Sequence, residues 1–135
     1  MIEDLPLAGL RILVVEDDMV VALAIEQALK DLGAACAGPA LSVHHALRLA
    51  QEEALDGALL DLDLRGTLSF GVADALEARG VPVVFATGYD QDARFPTRFA
   101  DHPCLCKPYS EQELQQVALA RFARSASDRR SQPPR

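Results

Sequence analysis

The sequence predicts an α/β fold, a doubly wound parallel sheet of five strands with helices on both faces. Apolar runs of strand length alternate with stretches in which apolar residues recur at helical spacing. That alternation is typical of a parallel sheet covered on both faces. Half of the 135 residues are apolar, enough for one hydrophobic core. We expect an N-terminal arm over residues 1–9, one domain over residues 10–124 and a disordered tail over residues 125–135.

Five apolar runs have the length and composition of strands. They cover residues 10–15, 35–38, 57–62, 81–87 and 103–106. The second run is weak. Pro82 is compatible with the fourth strand only because it lies near the strand's start, where no ladder hydrogen bond is needed from its nitrogen.

Four helices are predicted between and after these strands. They cover residues 21–32, 43–50, 69–79 and the stretch after Ser110 up to Phe122. Ser42 is a predicted N-cap, and Ser110 with Glu113 forms a capping box. Gly33 and Gly80 follow helices at positions that favour a left-handed cap. Residues 63–67 are predicted as a loop, and residues 90–100, which have no apolar stripe, as a short or mobile helix.

The charge of the chain argues against several classes of partner. The net charge is −7, and residues 1–120 alone carry −11, because five of the arginines lie in the last fifteen residues. We therefore expect neither nucleic-acid binding nor attachment to an anionic membrane. No apolar run is long enough to span a bilayer, and the start lacks the basic region of a signal peptide, so a cytoplasmic location is expected.

The three cysteines, Cys36, Cys104 and Cys106, are predicted to be small buried apolar residues. An odd number without an export signal argues against a disulfide framework. Cys104 and Cys106 share one face of a predicted strand, which could suggest a metal, but no further Cys/His pair completes a zinc site.

Polar side chains end four of the predicted strands. Glu16 and Asp17 follow the first strand, Asp61 lies at the end of the third, Thr87 ends the fourth and Lys107 follows the fifth. Ligands of doubly wound sheets bind beyond the carboxyl ends of the strands. These five side chains are therefore expected to converge on one site.

The chemistry of this set favours phosphoryl transfer with a divalent cation. Three converging carboxylates repel one another, and their hard oxygen ligands suit Mg²⁺ better than zinc. Asp61 is placed to be a nucleophile toward phosphorus. The hydroxyl of Thr87 and the ammonium group of Lys107 can neutralise charge on the phosphoryl oxygens, which is what this reaction chiefly requires.

The set resembles the signature of response-regulator receiver domains over about residues 10–124. The matching elements are Val14-Val15-Glu16-Asp17, Asp61, Thr87 and Lys107-Pro108. Asp61 follows Asp17 by 44 residues, Thr87 follows Asp61 by 26 and Lys107 follows Thr87 by 20. The order and spacing together are specific, although each motif alone is weak.

The resemblance implies a flavodoxin-like strand order, 2-1-3-4-5, and a role for each residue. Asp61 is implied as the phosphoacceptor, Thr87 as the switch hydroxyl and Lys107 as the phosphoryl sensor, with a cis bond before Pro108. The implied Mg²⁺ ligands are Glu16, Asp17, Asp61 and the backbone carbonyl of Asp63. Such a protein catalyses only its own phosphorylation and dephosphorylation.

Two departures from the family pattern indicate a subgroup. Cys104 stands where most receivers have an aromatic switch residue, and residues 85–89, Phe-Ala-Thr-Gly-Tyr, are similar to the FATGUY single-domain receivers. The resemblance implies a sensor histidine kinase of the HWE type, or a phosphotransfer protein, as donor. About eleven residues follow the last helix, so we expect output through a downstream protein target or use as a phosphate sink. Ordering of residues 88–100 and an influence of Asp63 and Tyr89 at the site entrance are further hypotheses.

Other interpretations remain open at this stage. Asp61-Leu62-Asp63 is similar to the Asp-x-Asp of haloacid-dehalogenase-type phosphatases, but it follows a third strand and has Arg65 where a hydroxyl residue is expected. A degenerate receiver used only as an interaction module is the other alternative. The Glu16-Asp17-Asp18 run by itself could serve only to cap a helix.

Overall fold

The computed structural model describes residues 4–88, 96–99 and 102–123. Its regular elements in chain order are β1 (Arg11–Val15), α1 (Met19–Asp31), β2 (Ala35–Ala40), α2 (Val43–Glu52), β3 (Gly57–Asp61), β4 (Asp63–Leu64), β5 (Thr67–Leu68), α3 (Phe70–Ala78), β6 (Val83–Thr87), β7 (Cys104–Cys106) and α4 (Glu111–Ala118). A 3₁₀ turn covers Thr97–Phe99, and a π-helical turn, Leu119–Ala123, extends α4.

Five strands form one parallel sheet in the order β2-β1-β3-β6-β7. Strands β4 and β5 form a separate antiparallel hairpin. When the two hairpin strands are left out and the five sheet strands are numbered along the chain, the order is 2-1-3-4-5. The predicted flavodoxin-like α/β fold is therefore confirmed. Strand order reverses between β1 and β3, which is the place where such sheets bind ligands.

The core consists of two apolar clusters, one on each face of the sheet. Leu13, Val15 and Phe85 pack under α2 and α3, whereas Ile12 and Val14 pack under α1 and α4. Every residue of β3 and β6 is buried, as expected for central strands covered on both faces. Burying one such large apolar side chain stabilises the fold by about 1.5–3 kcal/mol.

Capping residues start the helices beside the carboxyl edge of the sheet. Asp18 accepts hydrogen bonds from the N–H groups of Val20 and Val21 at the start of α1. The predicted N-cap Ser42 and the predicted capping box of Ser110 and Glu113 are both present. Because the caps of α1 and α4 fix where these helices begin, they also fix the loops after β1 and β7, which contain Glu16, Asp17 and Lys107.

The structure differs from the sequence prediction in the segment between β3 and α3. Residues 63–67, predicted as a loop, mostly belong to the β4–β5 hairpin. Arg65 and Gly66 turn the chain with φ angles of 54° and 92°. Strands of two residues have no periodic pattern, which is why the sequence contained no signal for them.

The prediction that all three cysteines are buried was wrong for Cys104 and Cys106. Both are exposed, while Leu105 between them is buried and Cys36 is half-buried. Strand β7 lies at the edge of the sheet, and its alternation turns Leu105 toward α1 and α4. The two thiols share the opposite face, as predicted, and both are exposed there.

The described part of the predicted N-terminal arm, residues 4–9, packs onto the domain. Leu7 is fully buried in the cluster under α1 and α4, and its N–H donates to the carbonyl of Leu32 at 2.8 Å. The bond between Lys107 and Pro108 is cis, as the resemblance implied, and the Gly38–Pro39 bond is also cis. Among the described helices, none is long and apolar enough to cross a membrane.

Two predictions concern residues outside the described part. The first is the short or mobile helix over residues 90–100, with Tyr89 before it, and most of these residues lie outside that part. The turn Thr97–Phe99 is described and buries Phe99. The tail over residues 125–135 lies there as well.

Candidate functional site

The five side chains predicted to converge lie at the carboxyl edge of the sheet. Glu16, Asp61 and Thr87 are buried, with exposed fractions of 2, 6 and 3%. Asp17 is half-buried, and the Lys107 side chain is 31% exposed. Backbone pairing sets these positions, because Lys107 donates its N–H to the Thr87 carbonyl at 2.7 Å and Glu16 donates to the Ala40 carbonyl at 3.0 Å.

Three carboxylates form the centre of the site. Glu16, Asp17 and Asp61 each offer an oxygen, and these oxygens lie within 4.8 Å of one another. Like charges at this separation repel strongly when partly removed from water. A cation is therefore required to stabilise the ionised cluster.

Lys107 supplies one such cation. Its Nζ lies 3.1 Å from Asp61 Oδ2 and 3.2 Å from Glu16 Oε2. Lys107 and the exposed guanidinium of Arg65, whose Nε lies 3.6 Å from Asp17, leave the three ionised carboxylates with one uncompensated negative charge. The remaining oxygens are hard ligands of the kind that Mg²⁺ prefers, so the residues present fit that metal.

Burial governs the protonation of this cluster. Burial raises the pKa of Glu16 to about 7; the N–H of Asp18 acts in the opposite direction, and the charge of Asp61 adds to the rise. Burial tends to lower the pKa of Lys107, but the charges of Asp61 and Glu16 outweigh it, and the pKa is raised. Lys107 consequently remains protonated at neutral pH.

The hairpin and α3 hold the backbone around Asp61. Ser69 is fully buried, and its hydroxyl donates to the backbone carbonyl of Asp61 at 2.8 Å. The N–H of Asp63 donates to Asp61 Oδ1 at 3.4 Å, and the Asp63 carboxylate accepts from the N–H of Gly66 at 2.6 Å. Asp63 therefore stabilises the turn through its side chain; a metal contact from its backbone carbonyl remains a prediction.

Two residues near the site were not predicted as functional. Ser69 was expected only at a helix start, yet its side chain makes no cap hydrogen bond and binds the Asp61 backbone instead. Arg65 lies 3.6 Å from Asp17 through its Nε and is largely exposed. Both contacts depend on the unpredicted hairpin, so the sequence alone could not have indicated them.

Strand β6 contributes both to the core and to the site, because Phe85 packs in the core and Thr87 ends the strand at the site. The centroid of the Phe85 ring lies 5.9 Å from that of Phe70 and 5.3 Å from that of Phe99, and both pairs of rings meet edge to face. Ala86 pairs with Asp61 in the sheet register, so Thr87 lies one residue beyond the position of Asp61. The aromatic cluster thus anchors the strand that presents Thr87.

Fold and site together define a class of protein, a doubly wound domain with an acidic cleft and a bridging lysine at its carboxyl edge. Residues 12–119 match the response regulator receiver domain family. The chain belongs to that family. No match to a curated protein is found.

Two solved structures of similar fold are at least 30% identical to this chain. SdrG from Sphingomonas melonis Fr1 is 36% identical, with a TM-score of 0.70 over 85% of this chain and 98% of its own. The receiver domain of the sensor histidine kinase PA1611 from Pseudomonas aeruginosa PAO1 is 30% identical, with a TM-score of 0.71 over 86% of this chain and 98% of its own; it has a magnesium ion in its active-site cleft.

A longer protein shares the fold alone. The response regulator PhyR from Brucella abortus is 21% identical, with a TM-score of 0.76 over 95% of this chain. This chain spans 53% of that protein's length. The family match over residues 12–119 favours the receiver interpretation over the dehalogenase-type alternative.

Proposed function

We propose that this receiver domain accepts a phosphoryl group on Asp61 from a histidine kinase or phosphotransfer protein, in a reaction that depends on Mg²⁺. The observation that carries the proposal is the bridge of Lys107 between Asp61 and Glu16 inside the acidic cluster. This arrangement presents a buried nucleophile, a mobile cation and further oxygen ligands within one cleft. Phosphoryl transfer requires such positioning and charge neutralisation.

Each residue has a defined task in the proposed reaction. A carboxylate oxygen of Asp61 attacks phosphorus, and the bond from phosphorus to the donor's histidine nitrogen breaks. Lys107 exchanges its contacts with Asp61 and Glu16 for one with a phosphoryl oxygen, and the Thr87 hydroxyl donates to another phosphoryl oxygen. Mg²⁺ held by Glu16, Asp17, Asp61 and the Asp63 carbonyl would neutralise the remaining oxygen charge.

The finer assignment follows from the Phe-Ala-Thr-Gly-Tyr motif and from Cys104 in place of the usual aromatic residue. We assign the chain to the FATGUY receivers and its donor to the HWE-type kinases. Such kinases use cytoplasmic ATP, so the proposed location is the cytoplasm. The output is a contact with a downstream protein or the removal of phosphoryl groups from the kinase, and the domain acts as a switch rather than as an enzyme on other substrates.

The test is intact-mass analysis after incubation with acetyl phosphate, with and without Mg²⁺. We expect one phosphoryl adduct that requires Mg²⁺ and is lost in Asp61→Asn. Asp63→Asn is the matched control, because it makes the same change two residues away and keeps the backbone carbonyl. An equal adduct in folded Asp61→Asn, or none in the folded wild type with any donor, would contradict the proposal and favour the interaction-module alternative.

A further inference from the structure

Tyr109 is a residue near the site to which the proposed reaction gives no task. It follows the cis Lys107–Pro108 bond and precedes α4. Its ring packs against the apolar cluster under α1 and α4. Its hydroxyl oxygen is buried and has no hydrogen-bond partner among the described residues.

An unpartnered buried hydroxyl is costly. Leaving such a group unsatisfied destabilises a fold, and phenylalanine would fill the same space without that cost. The ring alone therefore accounts for the packing but not for the hydroxyl. A state of the site in which this hydroxyl is bonded would account for both.

The surroundings of Tyr109 identify the group that it could bond. Tyr109, Lys107 and Pro108 line one side of a cavity of about 740 Å³, and α1 lines the other. Burial raises the pKa of Tyr109 to about 12, and the charges that act on it are those of Lys107, Glu16 and Asp61. The hydroxyl thus stays protonated and available as a donor, in the part of the cavity that Lys107 also lines.

Glu16 is the carboxylate that loses a donor in the proposed reaction. Its Oε1 accepts from the N–H of Asp18 at 3.1 Å, and its Oε2 accepts from Lys107 at 3.2 Å. When Lys107 turns to a phosphoryl oxygen, Oε2 loses that contact. Asp61 by then carries the phosphoryl group.

We propose that the Tyr109 hydroxyl is a positioning group that donates to Glu16 when Lys107 leaves it for the phosphoryl group. This inference rests on the proposed function. It explains why this buried hydroxyl has no partner among the described residues when the site carries no phosphoryl group. It also makes Tyr109 a reporter of the position of Lys107.

The first test compares beryllofluoride binding with Mg²⁺ in the wild type and in Tyr109→Phe. Without beryllofluoride we expect Tyr109→Phe to be at least as stable as the wild type, because an unpartnered hydroxyl is removed. With it, we expect binding about tenfold weaker, the effect of one hydrogen bond to a charged acceptor. A purely structural role for the ring predicts equal binding.

The second test uses the spectrum of Tyr109 itself. The chain has two tyrosines and no tryptophan, so Tyr109 is the only tyrosine in a Tyr89→Phe background. We expect its near-ultraviolet band to move to longer wavelength with beryllofluoride and Mg²⁺, as the phenol begins to donate to a carboxylate. Equal binding and an unchanged band in a protein that binds beryllofluoride would overturn this inference alone. A folded wild type that does not bind beryllofluoride would overturn the proposed function with it.

Discussion

Single residues illustrate how burial, rather than residue type, sets reactivity in this protein. Burial raises the pKa of Cys36 to about 11 from an ordinary value of 9.0; the charge of Glu26 adds to the rise and Lys30 opposes it. At pH 8 we expect Cys36 to react slowly with a thiol reagent, since the thiolate is the reactive form. We expect Cys104 and Cys106 to react faster, because they are exposed to the reagent. The rate at Cys36 should increase about tenfold per pH unit between pH 8 and roughly pH 10, and should level off as pH approaches 11.

The measurement is the time course of thiol modification, with Cys36→Ser as the control that removes only the slow phase. Three equal phases at pH 8 would contradict the assignment.

The raised pKa of Cys36 also predicts the pH dependence of the free energy of unfolding. Because the folded pKa lies above the unfolded one, this contribution is fully present below about pH 9 and is lost as pH rises toward 11.

The residues of the site differ in how far the sequence could predict them. Asp61, Thr87 and Lys107 were predictable because each ends or follows an apolar strand, and strand ends of a parallel sheet meet at one edge. Ser69 and Tyr109 were not, because their importance depends on which atom each hydroxyl meets once packed. Cys104 and Cys106 were predicted incorrectly because residue statistics take no account of an edge strand.

Among the elements, α1 has the most unusual surface. Three large apolar side chains are exposed on its first turns, Met19 at 46%, Val20 at 78% and Leu23 at 55%. This patch begins three residues after Glu16 and adjoins the cavity lined by Lys107. A donor that presents phosphohistidine to Asp61 must cover this rim of the site, so we expect the donor kinase or phosphotransfer protein to pack on it.

Val20→Asp tests that expectation. We expect transfer from the donor protein to fall about tenfold, roughly the effect of losing one buried valine contact, while phosphorylation by acetyl phosphate is unchanged. Lys30→Ala on the last turn of α1 makes the same change in net charge and should leave both rates unaltered. Equal loss with both phosphodonors would indicate damage to the site instead of a lost docking contact.

The elements that were predicted correctly have a common physical basis. Apolar periodicity indicated β1, β3, β6 and the four helices, and capping chemistry placed the starts of α2 and α4. The hairpin of β4 and β5 was missed because its turn depends on Arg65 in a left-handed conformation, which the sequence does not announce. That hairpin nevertheless holds Asp63 and the backbone around Asp61.

At the scale of the molecule, strand order brings together charges that are far apart in sequence. The alternation of strands and helices predicted a parallel sheet, but the order 2-1-3-4-5 came from the family resemblance, because periodicity does not specify which strands are neighbours. That order makes β1 and β3 adjacent and so brings Asp61 to Glu16 and Asp17. The fold therefore contains a local repulsion that its packing must outweigh.

Mg²⁺ should relieve this repulsion and stabilise the whole domain. A ligand that binds only the folded state adds about 2.7 kcal/mol at a concentration 100 times its Kd. In thermal unfolding we expect Mg²⁺ to raise the Tm of the wild type, and Asp17→Asn to lose most of that increase. Asp18→Asn is the matched control, because it lies outside the cluster and asparagine still caps α1. An equal Mg²⁺ response in both variants would mean that the metal binds elsewhere on the acidic surface, and that the cluster is stabilised by Lys107 and Arg65 without it.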